Sequence, residues 1–282
     1  MSSGPNASCA TSIHSNWDFG GNHVDQGYWA NFNPQFLNYW WMRLGAEYNP
    51  ETVDNRATRG GPLMLNPGHL GAWTGFDTDN RKRWRVGGGV DMGRSSLADN
   101  HGYGTSGYIE VQPIDRLAIR LEPSYNFRRS TRQYLDTIAD PAATATYGNR
   151  YLFGDLRQKT LSANLRLNWI FTPTLSIEVF AQPLVSSVHY RQVLQLARPR
   201  TVELVPTEID PGKYSFTFTS IRSSAVFRWE YRPGSTLFLV WNQNQSVEEK
   251  NGLFQVSRSL DSLGRARPDH IFMVKATYWW SP

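Results

Sequence analysis

Charged side chains recur at every second position along several stretches of the chain, in a pattern that would place them together on one polar surface. Arg166 stands among polar residues at even positions of 161–171, while Leu165 and Leu167 fill the odd ones. Unpaired charges of this kind would be prohibitive in a dry core. We expect them to line a polar lumen instead: Arg43, Glu47, Arg83, Arg85, Asp91, Glu110, Arg120, Glu122, Arg128, Arg166, Glu178, Arg228, Glu230 and Lys275.

These charges admit two roles in a lumen. They could pair across neighbouring strands, Glu110 with Arg120 and Glu178 with Arg166, and so stiffen the wall. They could instead select solutes along a water-filled path. The first role is favoured over the second.

No catalytic motif accompanies these charges. The sequence has no GxSxG, no HExxH and no zinc-type spacing of cysteine and histidine. The carboxylates near predicted loops and the triplet Gly87-Gly88-Gly89 have simpler explanations, as solvated charges and as a bend in a strand. We therefore predict no catalytic residue, no metal site and no cofactor, and we expect the histidines to be solvated in or beside loops: His14, His23, His69, His101, His189 and His270.

The segment TRGGP at 58–62 is the most distinctive loop motif. Its two glycines permit positive φ angles, and its proline fixes the chain. We expect an ordered loop that folds over or into the lumen, with these residues as its markers: Arg56, Arg59, Gly60, Gly61 and Pro62.

Period-two alternation from one end to the other indicates the elements that position these residues. Short turns are predicted near 37, 80, 114, 173 and 233, and long polar links over about 49–69, 94–102, 129–149, 190–213 and 247–269, with no helix. Short turns on one rim and long loops on the other are typical of outer-membrane barrels. The pattern predicts an all-β fold, an antiparallel up-and-down transmembrane β-barrel of about twelve strands, or the C-terminal part of a larger barrel.

Composition is compatible with this prediction. The mean hydropathy is −0.49, and no window resembles a membrane-spanning helix, but a spanning strand needs only roughly 9 to 11 residues with one apolar face. Aromatic residues make up 13% of the chain, as interfacial girdles require. The net charge of +5 is scattered, so no nucleic-acid partner is expected. The expected partner is outer-membrane lipid, and the single cysteine, Cys9, excludes an internal disulfide.

A water-soluble β-sandwich would also alternate its faces. The strands exceed the usual length of about 5 or 6 residues, arginine and glutamate stand at mid-strand, and tryptophan and tyrosine lie beside the short turns. Together these features favour the membrane barrel.

Several motifs resemble a known family. They are NRATRGGPLM at 55–64, LEPSYNFRRS and RQYL within 121–135, the stretch from Ala145 to Val185, RWEYRPGSTLFLVWNQ at 228–243 and ARPDHIFMVKATYWW at 266–280. They resemble the C-terminal part of a bacterial family, domain of unknown function family 5916. The resemblance implies an outer-membrane barrel that usually follows a signal peptide and a family-nine-type carbohydrate-binding module.

The resemblance also implies that residues 1–282 form one barrel domain at the C-terminal end of a longer protein, or that the gene start was assigned too late. Residues 1–9 are expected to be disordered. It supplies no catalytic residues to carry over. The first strand, near 10–20, is weakly patterned. We therefore expect a sheet that is strained into closure or left open between this strand and residues 270–280, and further strands before residue 1.

Three functions remain open from the sequence. The first is a bacterial outer-membrane barrel that acts as a channel, a transporter or a platform for surface loops, with a link to carbohydrate binding or uptake that the family's N-terminal module suggests. The second is an outer-membrane or surface glycan hydrolase. The third is a soluble β-sandwich interaction domain.

The alternation generates a prediction about the two faces. A charge at Leu165 or Leu167 should cost about 2 to 4 kcal/mol near the bilayer midplane, whereas the same change at Asn164 or Asn168 should be mild. The measurement is the free energy of folding into lipid vesicles. Equal sensitivity at both phases would contradict the barrel.

Overall fold

The computed structural model describes residues 6–96 and 99–280 as an all-β protein. Two short 3₁₀ helices, Thr144–Thr146 and Pro211–Tyr214, and one α-helix, α1 (Val256–Arg265), accompany the strands. The strands are β1 (Ala7–Trp17), β2 (His23–Pro34), β3 (Trp41–Asn49), β4 (Thr52–Asp54), β5 (Met64–Asn66), β6 (His69–Asp77), β7 (Trp84–Ser95), β8 (His101–Ile114), β9 (Leu117–Ala139), β10 (Asn149–Thr172), β11 (Leu175–Leu196), β12 (Leu204–Pro206), β13 (Phe216–Arg232), β14 (Ser235–Glu249) and β15 (Asp269–Thr277).

One antiparallel meander dominates the fold. Its long strands follow the order β1-β2-β3-β6-β7-β8-β9-β10-β11-β13-β14-β15, while β12 pairs with β11 and β4 pairs with β5 in a separate hairpin. The predicted up-and-down sheet of about twelve strands is confirmed. Within the described residues no helix is long and apolar enough to cross a bilayer.

The strand registers sort side chains onto two faces. Leu165 of β10 lies beside Leu121 of β9 and Ala181 of β11, and Leu167 lies beside Ile119 and Val179. We call this side the apolar face. The opposite side, the polar face, carries Arg120 beside Glu110 and Arg166. Because successive side chains of a strand point to opposite sides, the odd and even positions of 161–171 separate cleanly.

The sheet is a single layer with little core. The chain exposes 17260 Å², whereas a compact monomer of 32.2 kDa would expose about 12,300 Å². Large apolar side chains of the apolar face stay exposed, among them Leu121, Leu165 and Trp169. A β-sandwich would bury one face of each sheet against the other, so the sandwich alternative is wrong.

The five short turns lie at one end of the sheet, which we call the turn end, at residues 35–40, 78–83, 115–116, 173–174 and 233–234. Exposed aromatic rings cluster there, including Trp40, Trp84, Trp169 and Trp229. The opposite end, the loop end, differs from the sequence prediction. Residues 129–139 and 190–196 continue β9 and β11 rather than forming links. The alternation pattern did not reveal these strand extensions, because neither of their faces is uniformly apolar.

At the turn end, one ion pair ties two turns together. Asp79 accepts hydrogen bonds from the Arg81 backbone N–H (3.0 Å) and from its Nε and Nη2 (both 2.9 Å). The Arg81 guanidinium stacks over the ring of Tyr39 in the neighbouring turn, 3.2 Å from its centroid. These bonds from Arg81 lower the pKa of Asp79 to about 2. The carboxylate therefore stays ionised across the physiological range.

The helix α1 was not expected from the sequence. It is ten residues long, and its serines and Gly264 have low helix propensity. Contacts with the sheet hold it in place: Gln245 Nε2 donates to the carbonyls of Leu263 (2.7 Å) and Ala266 (2.6 Å). Gln245 belongs to the odd phase of β14, so α1 covers the apolar face near the loop end.

The first and last strands each have one hydrogen-bonded neighbour among the described residues. β1 pairs with β2, and β15 pairs with β14. Every residue of β15 is exposed. Residues 7–9, expected to be disordered, instead pair with 32–34 as the start of β1, and residues 1–5 lie outside the described residues.

The segment Thr52–Asn66, which we call the brace, contains β4, β5 and the TRGGP motif. At one side Thr52 Oγ1 donates to the carbonyl of Val24 (3.4 Å), and Asn55 Nδ2 donates to Asp18 Oδ2 (3.0 Å). At the other side Arg132 Nη1 of β9 donates to Asn66 Oδ1 (3.1 Å). Strands β3, β6, β7 and β8 separate β2 from β9 in the sheet order. The sheet must therefore curl to bring them within reach of one segment.

The brace lies over the polar face. Near β1 and β2 it encloses a cavity with Asn16 and Asp25, which are polar-face neighbours in register. Near β10 and β11 the fully buried Met64 packs with Tyr151, Phe153 and Leu196. The polar face is therefore the concave side of the curl.

Within the brace, the TRGGP motif is compact. Thr58 is buried and donates to the carbonyl of Pro62 (2.8 Å). Arg59 has a φ of 52° and stacks over Tyr134, 4.5 Å from the ring centroid. Gly60 has a φ of 102°, which its lack of a side chain permits. Gly61 lies against the ring of Tyr151, where a Cβ would overlap it.

These contacts generate a prediction about proteolysis. Limited trypsin treatment of the folded protein should cleave after Arg56 and Arg59 more slowly than after Lys250, which is exposed in the turn directly after β14. Met64→Ala should remove this protection, because truncating a fully buried methionine costs about 2 to 5 kcal/mol. Mass spectrometry of the fragments measures the order of cleavage. First cleavage within 52–66 of the unsubstituted protein would contradict the packing.

Candidate functional site

The polar face carries a charge cluster at its centre. Glu110 of β8 is 9% exposed and accepts from Arg85 of β7 and from Arg120 Nη1 of β9 (2.9 Å). Arg120 Nη2 also donates to Glu122 (2.7 Å), and its guanidinium stacks over Tyr108, 4.1 Å from the ring centroid. The registers Arg85 to Glu110 and Glu110 to Arg120 explain the cluster, since paired residues of adjacent strands are side by side.

Further ion pairs flank this cluster on β3 and β6. Arg43 Nη2 lies 3.2 Å from Asp77 Oδ2, and His69 Nε2 lies 3.4 Å from Glu47 Oε1. The predicted partnership of Glu110 with Arg120 is confirmed by its geometry. Charges of both signs therefore alternate across β3 to β9, as a network that stabilises the curled wall would require.

Other predicted members of the set lie elsewhere. Arg83 precedes β7 at the turn end, where it binds Asp115 (2.8 Å) rather than any polar-face group. The predicted pair of Glu178 with Arg166 is wrong. Glu178 lies beside Asn168 and Val226 in register, and Arg166 stacks over Phe180 at 5.5 Å.

The five remaining charges of the predicted set lie on the polar phase of their strands. Arg228 binds Glu230 on the same strand (3.3 Å). Lys275 lies beside Phe238 on the exposed strand β15. Arg128 and Asp91 line a cavity of the concave side.

Four histidines stand at strand ends beside loops, as expected: His23, His69, His101 and His270. The other two, His14 and His189, are at mid-strand. His14 lies 3.2 Å from Asp25, and His23 shares a 2.8 Å hydrogen bond with Ser15. Among the described residues, no group of three or more histidine, cysteine, aspartate or glutamate side chains is arranged to hold a metal ion.

One buried carboxylate was missed by sequence reasoning. Asp155 of β10 is 6% exposed and lies between Arg129 Nε (3.5 Å) and Arg191 Nε (3.7 Å), and Arg129 also binds Asp99. The register of β10 shifts between Gly154 and Leu156 against both neighbours. This irregularity breaks the alternation that the sequence pattern relied on. The glycine directly before an aspartate inside a strand was the available signal.

The whole fold, from β1 through the last strand, corresponds to a known family. The family described as "Domain of unknown function (DUF5916)" matches residues 7–280. The chain belongs to the DUF5916 family. No curated protein matches its sequence significantly.

Solved structures share the fold of this DUF5916 chain. The copper transporter OprC matches with a TM-score of 0.54 and 9% identity, over 96% of this chain and 42% of that chain. The siderophore receptor PiuA from Acinetobacter baumannii matches with a TM-score of 0.53 and 10% identity, over 96% of this chain and 46% of that chain. Both are outer-membrane β-barrel proteins. Identities this low establish the fold alone, and the DUF5916 chain spans less than half the length of either protein.

The charge cluster generates a prediction about stability. Glu110→Gln should destabilise the folded protein by about 1 to 3 kcal/mol, because it leaves two partly buried guanidinium groups without their shared carboxylate. The matched control is Asp115→Asn in the exposed pair with Arg83, which should change stability by less than about 0.5 kcal/mol. Urea unfolding from lipid vesicles measures both. Equal effects would mean that the cluster is as solvated as the turn end.

Proposed function

We propose that this chain forms the wall of a bacterial outer-membrane β-barrel that acts as a channel or transporter for polar solutes. The observation that carries the proposal is the one-layered sheet with an exposed apolar face and a concave polar face. In water so much contiguous apolar surface would favour association. In a bilayer it is the surface that a barrel strand presents to lipid, and the polar face then lines the lumen.

The aromatic rings at the turn end support the same orientation. Tryptophan and tyrosine concentrate at the level of lipid headgroups, where an amphipathic ring meets both phases. Trp84 is 56% exposed and Trp229 is 45% exposed beside their short turns. Short turns of outer-membrane barrels face the periplasm. The loop end, with the brace and α1, would then face outward. A connection to carbohydrate through a family-nine-type module stays a prediction from the family resemblance.

Cysteine labelling tests which face meets lipid. On a Cys9→Ser background, which removes the native thiol, Asn164→Cys and Leu165→Cys are matched neighbours on opposite faces. After reconstitution into vesicles, a membrane-impermeant maleimide should label Asn164→Cys at least about tenfold faster, because Leu165→Cys would lie in hydrocarbon where thiolate formation is suppressed. Equal labelling rates of the two variants would contradict the proposal that the apolar face meets lipid.

Liposome swelling tests transport. Vesicles containing the protein should swell in isotonic solutions of small neutral solutes at a rate that falls with solute size, whereas empty vesicles should not. A folded protein with heat-modifiable gel mobility that supports no swelling would contradict the open-channel form of the proposal, and a gated transporter or display platform would replace it.

A further inference from the structure

Two cavities of about 640 and 610 Å³ adjoin on the concave polar face between β3 and β10. Both are lined by Trp73 of β6 and Asp91 of β7, so these two side chains stand where the cavities meet. We call the joined space the Trp73 groove. It lies beside the Glu110 charge cluster, and the ion pairs already described include several of its lining groups but neither Trp73 nor Asp91.

Trp73 is held as a flat surface. Its register partner on β3 is Gly45, and a Cβ on Gly45 would overlap Cζ2, Cε2 and Nε1 of the indole. One ring face therefore rests on bare backbone, in space that only glycine leaves free. The ring is half-buried, and the remainder of its surface belongs to the two cavities. An aromatic ring that rests on backbone on one face and is open to a cavity on the other is suited to stacking against a ligand.

Asp91 is the register neighbour of Trp73 on β7. A Cβ on Gly104 would meet Oδ1 of Asp91, and would lie 2.8 Å from Oδ1 of Asn126. Two acceptor oxygens thus converge above the same glycine on the β8 side of the groove, whereas the indole lies over Gly45 on the β3 side. Trp73, Asp91 and Asn126 all line the 640 Å³ cavity, which has room for a ligand larger than water.

The carboxylate of Asp91 differs from its neighbours on this face. Glu47, Asp77, Glu110 and Glu122 each have a basic partner within 4 Å. Over the described ranges 6–96 and 99–280, Asp91 has no salt bridge and no side-chain hydrogen bond. An ionised carboxylate accepts through two oxygens, so Asp91 retains its full capacity for a ligand.

We propose that the Trp73 groove binds a neutral oligosaccharide of two or three pyranose units. The C–H face of a pyranose is apolar and would stack on Trp73, while its hydroxyl groups would donate to Asp91 and Asn126 and accept from Arg128. Two adjoining cavities suit an elongated ligand. This inference rests on the proposed function, since it places the sugar on the path along the polar face.

A cationic amine is the competing ligand, because an indole beside a carboxylate also attracts ammonium groups. Arg128 lines the same groove and has no salt bridge within 6–96 and 99–280, which disfavours a cation. Its positive charge repels a cation but leaves a neutral sugar unaffected. A sugar-binding groove should bind neutral trisaccharides and not tetramethylammonium, whereas a cation-binding groove should do the reverse.

The test measures binding of maltotriose, cellotriose and chitotriose to the folded protein in detergent micelles, by saturation-transfer NMR and calorimetry. At least one sugar should bind with a dissociation constant below about 10 mM. Trp73→Ala should weaken it about tenfold, or ~1.4 kcal/mol, and Asp91→Asn should weaken it severalfold. Trp73→Phe should retain most of the affinity, since it keeps a ring.

The matched controls are Trp169→Ala on the apolar face and Asp115→Asn at the turn end, and both should leave binding unchanged. Absence of binding by all three sugars would overturn the inference, as would binding that Trp73→Ala leaves intact. Binding of tetramethylammonium that depends on Trp73, without sugar binding, would assign the groove to a cation instead.

The swelling and labelling measurements keep this inference separable from the proposed function. Sugar binding that depends on Trp73 in a protein that passes no solute would support the groove and contradict the open channel. Transport without sugar binding would contradict the groove alone.

Discussion

A one-layered sheet has no interior, and this constraint governs the rest of the structure. Each strand must satisfy its backbone through its neighbours in the sheet, and each side chain must belong to one of two surfaces. Away from the brace and α1, neither surface is buried against a second layer. The apolar face therefore needs an apolar solvent, and the charges of the other face need water or one another. The regular alternation along 161–185 is the direct expression of this requirement.

The charges of the concave face meet the requirement largely by pairing. Glu110 serves two arginines at once, so that three strands are linked by one carboxylate. Each pair exposed to water contributes little by itself, but partial burial of this cluster strengthens it. Removing one charged residue of this cluster therefore lowers the stability of the fold more than removing one residue of an exposed pair. The unpaired Asp91 is informative because it departs from this arrangement beside Trp73.

The sequence predicted the features that depend on alternation between adjacent positions. The two faces, the antiparallel order and the five short turns all follow from period two, and so does the partnership of Glu110 with Arg120. Prediction failed where alternation is interrupted or irrelevant. Asp155 lies at a register shift, Arg83 lies one residue outside its strand, and α1 depends on Gln245 rather than on its own helix propensity. The contacts of the brace join residues far apart in the chain, which no local pattern encodes.

The brace also makes the loop end of the sheet stiffer than the turn end. At the loop end, Met64 and Arg132 fasten the brace to β9–β11, while Thr52 and Asn55 fasten it to the first hairpin. A curled sheet held by a segment across its concave side at one end resists flattening there. The turn end has no such cross-member among the described residues. Low-frequency bending should therefore pivot about the brace and grow in amplitude toward the short turns, so the width of the curl varies most at the end where the aromatic rings cluster.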